Sequence, residues 1–129
     1  MIAVDTNPLV RLLTKDDPDQ ARRAARIMES DDVYIPKTVM LETEWVLRHA
    51  YKIGKDVIMR GFQKLLGLPN VSVEDPHAIA QAISWYGLGF DFADALHLTS
   101  SMKADRFVTF DNALAKRAQQ VSSILVVRP

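Results

Sequence analysis

The chain has 129 residues, of which 48% are hydrophobic and 25% charged, and this composition predicts one globular domain spanning residues 1–129. It has no cysteine, which excludes disulfides and thiolate metal sites and favours a reducing compartment such as the cytoplasm. Sixteen basic residues balance sixteen acidic ones, which argues against a general nucleic-acid coat, and we expect neither a signal peptide nor a membrane span.

The first seventy residues alternate short apolar runs with helical patterns. Each run is too short for anything but a strand, and several helix starts carry a capping side chain, twice followed by proline. In chain order we predict a strand at 2–4, a short helix from Asn7-Pro8, a helix from Asp17-Pro18 to about 30, a strand at 33–35, a helix capped by Thr38 to about 51, and a helix at about 55–66.

The same alternation continues to the end of the chain. We predict a strand at 71–73, a helix from Asp75-Pro76 to about 86, a helix at about 91–102, a strand at 106–109, a helix capped by Asp111 to about 118, and a strand at 124–127. Short apolar strands separated by helices predict an α/β fold with a parallel sheet covered on both faces. Ligands of such sheets bind beyond the carboxyl ends of the strands.

Four acidic residues fall at positions that this fold would bring together. Asp5 and Asp111 follow predicted strands, while Glu42 and Asp94 lie near the starts of predicted helices. Each has an ordinary explanation as a helix cap, a turn residue or a partner of the helix dipole. In combination, we expect all four to meet in one pocket at the carboxyl edge of the sheet.

The surroundings of these acids favour a cation. Asp5 directly follows an apolar strand and Asp94 lies among apolar residues, with no lysine or arginine beside either in the sequence. Acids in such surroundings are rarely left unpaired. Carboxylate oxygens suit Mg²⁺ or Mn²⁺, and these ions promote phosphodiester cleavage.

Four short motifs, in order, resemble those of PIN domains, and their spacing and coverage resemble the compact VapC-like toxins of bacterial toxin–antitoxin pairs. The motifs are Asp5-Thr6-Asn7, Glu42 followed by an apolar helix, Asp91-Phe92-Ala93-Asp94, and Thr109-Phe110-Asp111. The resemblance implies a three-layer α/β/α fold with a central parallel sheet of four or five strands. It implies Mg²⁺- or Mn²⁺-dependent cleavage of RNA such as tRNA or rRNA, a homodimer, and a VapB-like antitoxin as partner.

The same resemblance implies roles for individual residues. The acidic quartet corresponds to Asp5, Glu42, Asp94 and Asp111, and the implied metal ligands are Asp5, Asp94 and Asp111. The supporting residues are Thr6, Asn7, Asp91 and Thr109. Other residues near the motifs receive ordinary interpretations: Glu44 as a solvated charge, His97 as structural, and Trp45, Trp85 and Phe62 as core or dimer contacts.

Other interpretations stay open. The first is a catalytically silent PIN-like module that binds RNA or protein, although four mutually repelling carboxylates argue against it. A haloacid dehalogenase-like phosphatase needs a second aspartate where Asn7 stands, and a receiver domain needs paired acids and a lysine that are not evident. The arginines near the N-terminus predict either a solvated helix face or a phosphate-binding patch: Arg11, Arg22, Arg23 and Arg26.

Overall fold

Seven elements form the first of two units in the computed structural model, which describes every residue from Met1 to Pro129. This unit covers Met1–Pro76 and the second covers His77–Pro129. The elements of the first unit are β1 (Ile2–Ala3), α1 (Thr6–Thr14), α2 (Pro18–Ser30), β2 (Val33–Ile35), α3 (Lys37–His49), α4 (Lys55–Leu66) and β3 (Val71–Val73). The prediction of a single domain stays a prediction.

The sheet of the first unit determines where its helices begin. β1 and β3 both pair in parallel with β2, and Val33 lies opposite Ile2 on one side and Val71 on the other. Val33 and Ile35 point to the same face of β2 and are fully buried, so this face of the sheet is covered, whereas Tyr34 on the opposite face is half-buried. Because β1 and β2 run in the same direction, α1 and α3 start from the same edge of this sheet.

The second unit continues with α5 (Pro76–Gly87), α6 (Phe92–Thr99), β4 (Arg106–Val108), α7 (Asn112–Val121) and β5 (Leu125–Val127). β4 pairs with β5 in parallel, with Arg106 opposite Leu125. Aromatic side chains fill the core around the start of α6, where the rings of Tyr86 and Phe92 meet edge to face at 5.3 Å. No helix of the chain combines the length and the apolarity that crossing a membrane requires.

The start of α1 differs from its prediction. The helix begins at Thr6, and its N-cap is Asp5 rather than Asn7. The reason is a hydrogen bond: Asp5 Oδ1 accepts the Thr6 N–H at 2.8 Å, which satisfies one of the helix's free donors. Asn7 consequently lies inside the first turn, exposed to solvent.

Two further helix boundaries also differ. α3 begins at Lys37 after Pro36, and Thr38 is not its cap, because the Pro36 carbonyl already accepts the first backbone N–H groups of the helix. α6 ends at Thr99 rather than near residue 102. By contrast, the predicted helices starting at Asp17-Pro18 and spanning 55–66 are confirmed.

The predicted strands and their parallel direction are confirmed, with a difference in pairing. All five strands are present, but they hydrogen-bond as one group of three and one group of two. Each strand has only two or three residues, so each ladder contributes few backbone hydrogen bonds. The α/β class of the prediction is therefore correct, whereas one continuous ladder of four or five strands is not observed.

Candidate active site

Asp5 stands where β1 passes into α1. The preceding Val4 is buried and its N–H bonds to the Tyr34 carbonyl of β2, so the sheet carries the chain directly to the acid. Asp5 caps α1 through Oδ1, while Oδ2 accepts no hydrogen bond within the chain. The side chain is exposed and therefore combines a structural contact with an available oxygen.

Glu42 reaches the same place from α3. It lies in the second turn of that helix, slightly later than predicted, and Thr6 Oγ1 donates a hydrogen bond to its Oε1. Thr6 is buried, so its hydroxyl holds Glu42 in one orientation. A single surface pocket is lined by Asp5, Thr6, Asn7, Val10, Glu42, Val46 and Tyr51. The structure thus brings together the candidate residues of the first and second motifs.

Glu44 was interpreted as a solvated charge, and that interpretation is wrong. Its side chain is only 1% exposed, and the Arg48 guanidinium donates a hydrogen bond to it at 2.6 Å. Two residues rotate a helix by about 200°, so Glu42 and Glu44 point to different sides of α3. The buried, paired Glu44 is therefore a structural acid, and Glu42 remains the candidate for the site.

The aromatic predictions divide. Phe62 and Trp85 are 0% and 4% exposed, which confirms them as core residues. Trp45 is 56% exposed and its ring lies 4.9 Å from that of His49, so it does not belong to the core, and its predicted role as a dimer contact stays a prediction. The helical pattern indicated that Trp45 belongs to an apolar face of α3. Whether that face is buried depends on which other elements pack against the helix.

Three further acids lie at the starts of α6 and α7 in the second unit. Asp91 caps α6, since its Oδ2 accepts the Asp94 N–H at 3.2 Å. Asp111 caps α7 by accepting the Leu114 N–H at 3.0 Å. Thr109 supports this turn, because its hydroxyl accepts the N–H of Asp111 at 3.0 Å.

Asp94 is electrostatically coupled to these neighbours. Burial raises its pKa above the ordinary value, and the negative charges of Asp91 and Asp111 raise it further. His97, which is exposed, acts in the opposite direction. Asp91 and Asp111 thus both oppose the ionised form of Asp94, and a bound cation would relieve that repulsion.

The model of the PIN domain family matches residues 2–120 of the chain. The chain belongs to the PIN domain family. PIN domains have a three-layer α/β/α fold, which confirms the predicted fold class, and they are generally nucleases that typically use divalent metals. No curated protein and no solved structure matches the chain significantly.

The side chains of this PIN domain fit a divalent metal in donor type. The candidate ligands are all carboxylates, which suit a hard ion, and Asp94 already experiences like-charge repulsion that such an ion relieves. No group of three or more histidine or acidic side chains lies close enough to enclose an ion as the side chains stand. The meeting of all four predicted acids in one pocket stays a prediction.

Sequence reasoning did not identify Tyr51, which lines the pocket with Asp5 and Glu42. Its hydroxyl is held by Arg11 and Asp16, which lie 40 and 35 residues away along the chain. Neither a motif nor a periodic pattern relates residues at such separations. Only the packing of α3 beside α1 places this ring in the pocket.

Proposed function

We propose that this PIN domain is a Mg²⁺- or Mn²⁺-dependent endoribonuclease that hydrolyses RNA phosphodiester bonds. The observation that carries the proposal is the position of Asp91, Asp94 and Asp111 at the starts of α6 and α7, where burial and then the charges of the other two acids raise the pKa of Asp94. Asp91 and Asp94 are neighbours at one helix start, but Asp111 caps a different helix, and capping α7 does not require it to act on Asp94. A cluster of repelling acids gains most when a divalent ion is bound.

Each acid has a proposed role that follows from its contacts. Asp5, Asp94 and Asp111 would hold the ion, which when bound stabilises the charge that grows on the phosphate and on the leaving oxygen. Glu42 is the fourth acid, and the Thr6 hydroxyl keeps it oriented toward the pocket. The supporting residues act through the backbone or the pocket wall: Asn7, Asp91 and Thr109.

The finer assignment is a VapC-like toxin. The order of the four motifs supports it, and it implies a homodimer in the cytoplasm, a VapB-like antitoxin, and a structured RNA such as tRNA or rRNA as substrate. The second candidate is a catalytically silent PIN-like module that binds RNA or protein. The two differ in whether the purified chain cleaves RNA.

The test is incubation of the full chain with total cellular RNA, with Mn²⁺ or with a chelator. We expect cleavage only with the metal, and we expect Asp94→Asn to reduce it by about 100-fold or more because a stabiliser of transition-state charge is lost. Asp105→Asn is the matched control, since Asp105 is exposed and forms no hydrogen bond or ion pair within the chain.

Two outcomes would count against the nuclease. Cleavage that persists in the presence of the chelator, or in Asp94→Asn, would contradict the proposed role of the acids in metal-dependent cleavage. A folded wild-type chain that binds RNA but cleaves none with either metal would support the silent module instead.

A further inference from the structure

The pocket in the first unit has two chemically different ends. Along α1, Asp5 and Thr6 come first and Val10 follows one turn later. Along α3, Glu42 comes first, followed by Val46, and Tyr51 lies just beyond the end of the helix. Both helices start at the same edge of the sheet, so the pocket runs from an acidic end to an apolar, aromatic end.

Two hydrogen bonds between these segments define the ends. At the acidic end Thr6 donates to Glu42, and at the aromatic end Arg11 Nη1 donates to the Tyr51 hydroxyl at 2.9 Å. Thr6 and Arg11 are about 7.5 Å apart along α1, given a rise of 1.5 Å per residue. The apolar side chains of Val10 and Val46 lie between the two contacts.

The Tyr51 hydroxyl is fully engaged by the protein. It donates to Asp16 Oδ2 at 2.7 Å while it accepts from Arg11. Arg11 is itself fixed, because it donates to both oxygens of Asp16 at 2.8 Å and to Gln20 at 2.7 Å. The only proton of the phenol and one acceptor position of its oxygen are therefore used within the protein, and the ring is the main surface that Tyr51 offers to a ligand.

We propose that the Tyr51 ring is a stacking platform for an unpaired nucleobase of the RNA whose backbone lies against the Asp5–Glu42 end of the pocket. This rests on the proposed ribonuclease function and deepens it. A nucleotide has the same two-ended character as the pocket, with an anionic phosphate and a flat aromatic base. Bases of single-stranded RNA stack on aromatic side chains, whereas bases within a duplex are not accessible in this way.

Two properties of the substrate follow. Because the phenol proton is already donated to Asp16 and the oxygen accepts from Arg11, the platform recognises a base through stacking on its flat face, which every base allows, rather than through hydrogen bonds to its edge. We therefore expect a preference for purines over pyrimidines at one position near the scissile bond. We also expect single-stranded RNA to be cleaved in preference to duplex RNA.

The test uses the full chain and short single-stranded oligoribonucleotides with 2-aminopurine at one position at a time. Binding is measured by fluorescence in the Asp94→Asn background with Mg²⁺, so the result does not depend on cleavage. We expect quenching at one position, its loss in Tyr51→Leu with about tenfold weaker binding, and its retention in Tyr51→Phe, which keeps the ring. Trp45→Leu is the control, because Trp45 is an exposed aromatic of α3 that does not line the pocket.

Several results would overturn the proposal. Quenching at no position, under conditions where fluorescence anisotropy shows the oligonucleotide bound, means that no base stacks in the pocket, and this holds even where Tyr51→Leu fails to fold. Equal losses in Tyr51→Phe and Tyr51→Leu would assign Tyr51 to anchoring Arg11 and Asp16. Unchanged RNA binding with altered self-association in Tyr51→Leu would assign the ring to a protein contact. If only the proposed ribonuclease function is wrong, we expect quenching in this assay but no RNA cleavage by the wild-type chain.

Discussion

The capping role of an acid in this chain does not exclude a second role for the same side chain. Asp5 and Asp111 each cap a helix, and each uses only one oxygen to do so. A carboxylate has two oxygens with about four lone-pair positions, so capping leaves capacity for another ligand. The ordinary explanation of each acid is therefore correct without weakening the proposed metal site, and the same contact that starts the helix orients the acid.

Asp16 provides a prediction about pH. Hydrogen bonds from Tyr51 and Thr14, together with Arg11, lower the pKa of Asp16 from 3.8 to about 2. A carboxyl group whose pKa is lower in the folded state than in the unfolded state stabilises the folded protein. This stabilisation is fully present at pH values above the unfolded-state pKa of 3.8, and it is lost as the pH falls from 3.8 toward 2. We expect Asp16→Asn to lower the free energy of unfolding near neutral pH, with a difference from wild type that shrinks in this acidic range.

The measurement is urea unfolding of both proteins at a series of pH values. Asp105→Asn serves as the exposed control. A difference between wild type and Asp16→Asn that stays constant down to the acidic limit would show that the carboxylate charge does not matter for folding.

Among the elements, α7 is bonded through its second turn to the turn that precedes α6. Arg117 of α7 donates a hydrogen bond at 2.8 Å to the carbonyl of Gly89, which lies in the turn before α6. Gly89 has a φ of 104°, a conformation that residues with a side chain rarely adopt. This turn directs the chain into Asp91 and Asp94, so its geometry contributes to the grouping of the acids in the second unit.

Replacement of glycine by alanine is expected to have opposite effects on stability at two positions, one in the turn before α6 and one within α4. Gly89→Ala should destabilise the protein by about 1–3 kcal/mol, because φ is positive. The added carbon would also lie 2.9 Å from the Arg117 guanidinium. Gly61→Ala, within α4, should stabilise it by up to about 1 kcal/mol, because alanine favours a helix. The new carbon there would meet Leu13 at an ordinary 3.6 Å.

Chemical unfolding of the metal-free variants measures whether Gly89→Ala lowers the free energy of unfolding and Gly61→Ala raises it. If Gly89→Ala were as stable as wild type, the turn would have to adopt another conformation, and the Arg117 contact would not constrain α6.

Across the whole molecule, positive and negative charges balance, so the attraction of a charged ligand such as RNA depends on local clusters of charge. The formal net charge is zero, and part of the N-terminal basic run is compensated, since Arg11 pairs with Asp16 while Arg22 and Arg23 lie near Asp19. Arg22 and Arg23 are highly exposed, which suits a solvated helix face and a phosphate-binding patch equally, so both interpretations stay open. Attraction of RNA is therefore expected to depend on the divalent ion rather than on the overall field.

Metal binding should be visible in the stability of the whole chain. We expect Mn²⁺ to raise the melting temperature, because an ion that binds only the folded state adds about 2.7 kcal/mol when its concentration is a hundredfold above Kd. Asp94→Asn should show a smaller shift. Its metal-free form should be at least as stable as wild type, because the substitution removes a charge that Asp91 and Asp111 repel.

Calorimetry with Mn²⁺ and with a chelator tests this, with Asp105→Asn again as the control. Equal melting temperatures of wild type under the two conditions would argue against a metal site in the folded protein. A strongly destabilised Asp94→Asn would instead indicate a structural role for Asp94.

Local signals in the sequence were sufficient for most elements and for selecting the acids as candidates, whose role stays a prediction. The Asp17-Pro18 start of α2 and the extent of α4 are correct, because caps, proline and helical periodicity act over a few residues. Asp5, Asp94 and Asp111 could be selected because each lies at a strand end or a helix start. The family assignment likewise follows from motifs in order along the chain.

Only the tertiary structure decided which side of a helix is inside and which distant residues meet. It buried Glu44, exposed Trp45 and brought Tyr51 into the pocket of Asp5 and Glu42. The Thr6–Glu42 and Arg11–Tyr51 hydrogen bonds join residues that are 36 and 40 positions apart. Local patterns extend over one or two turns, whereas burial and partner choice depend on which elements pack together, and that is decided by the whole folded chain.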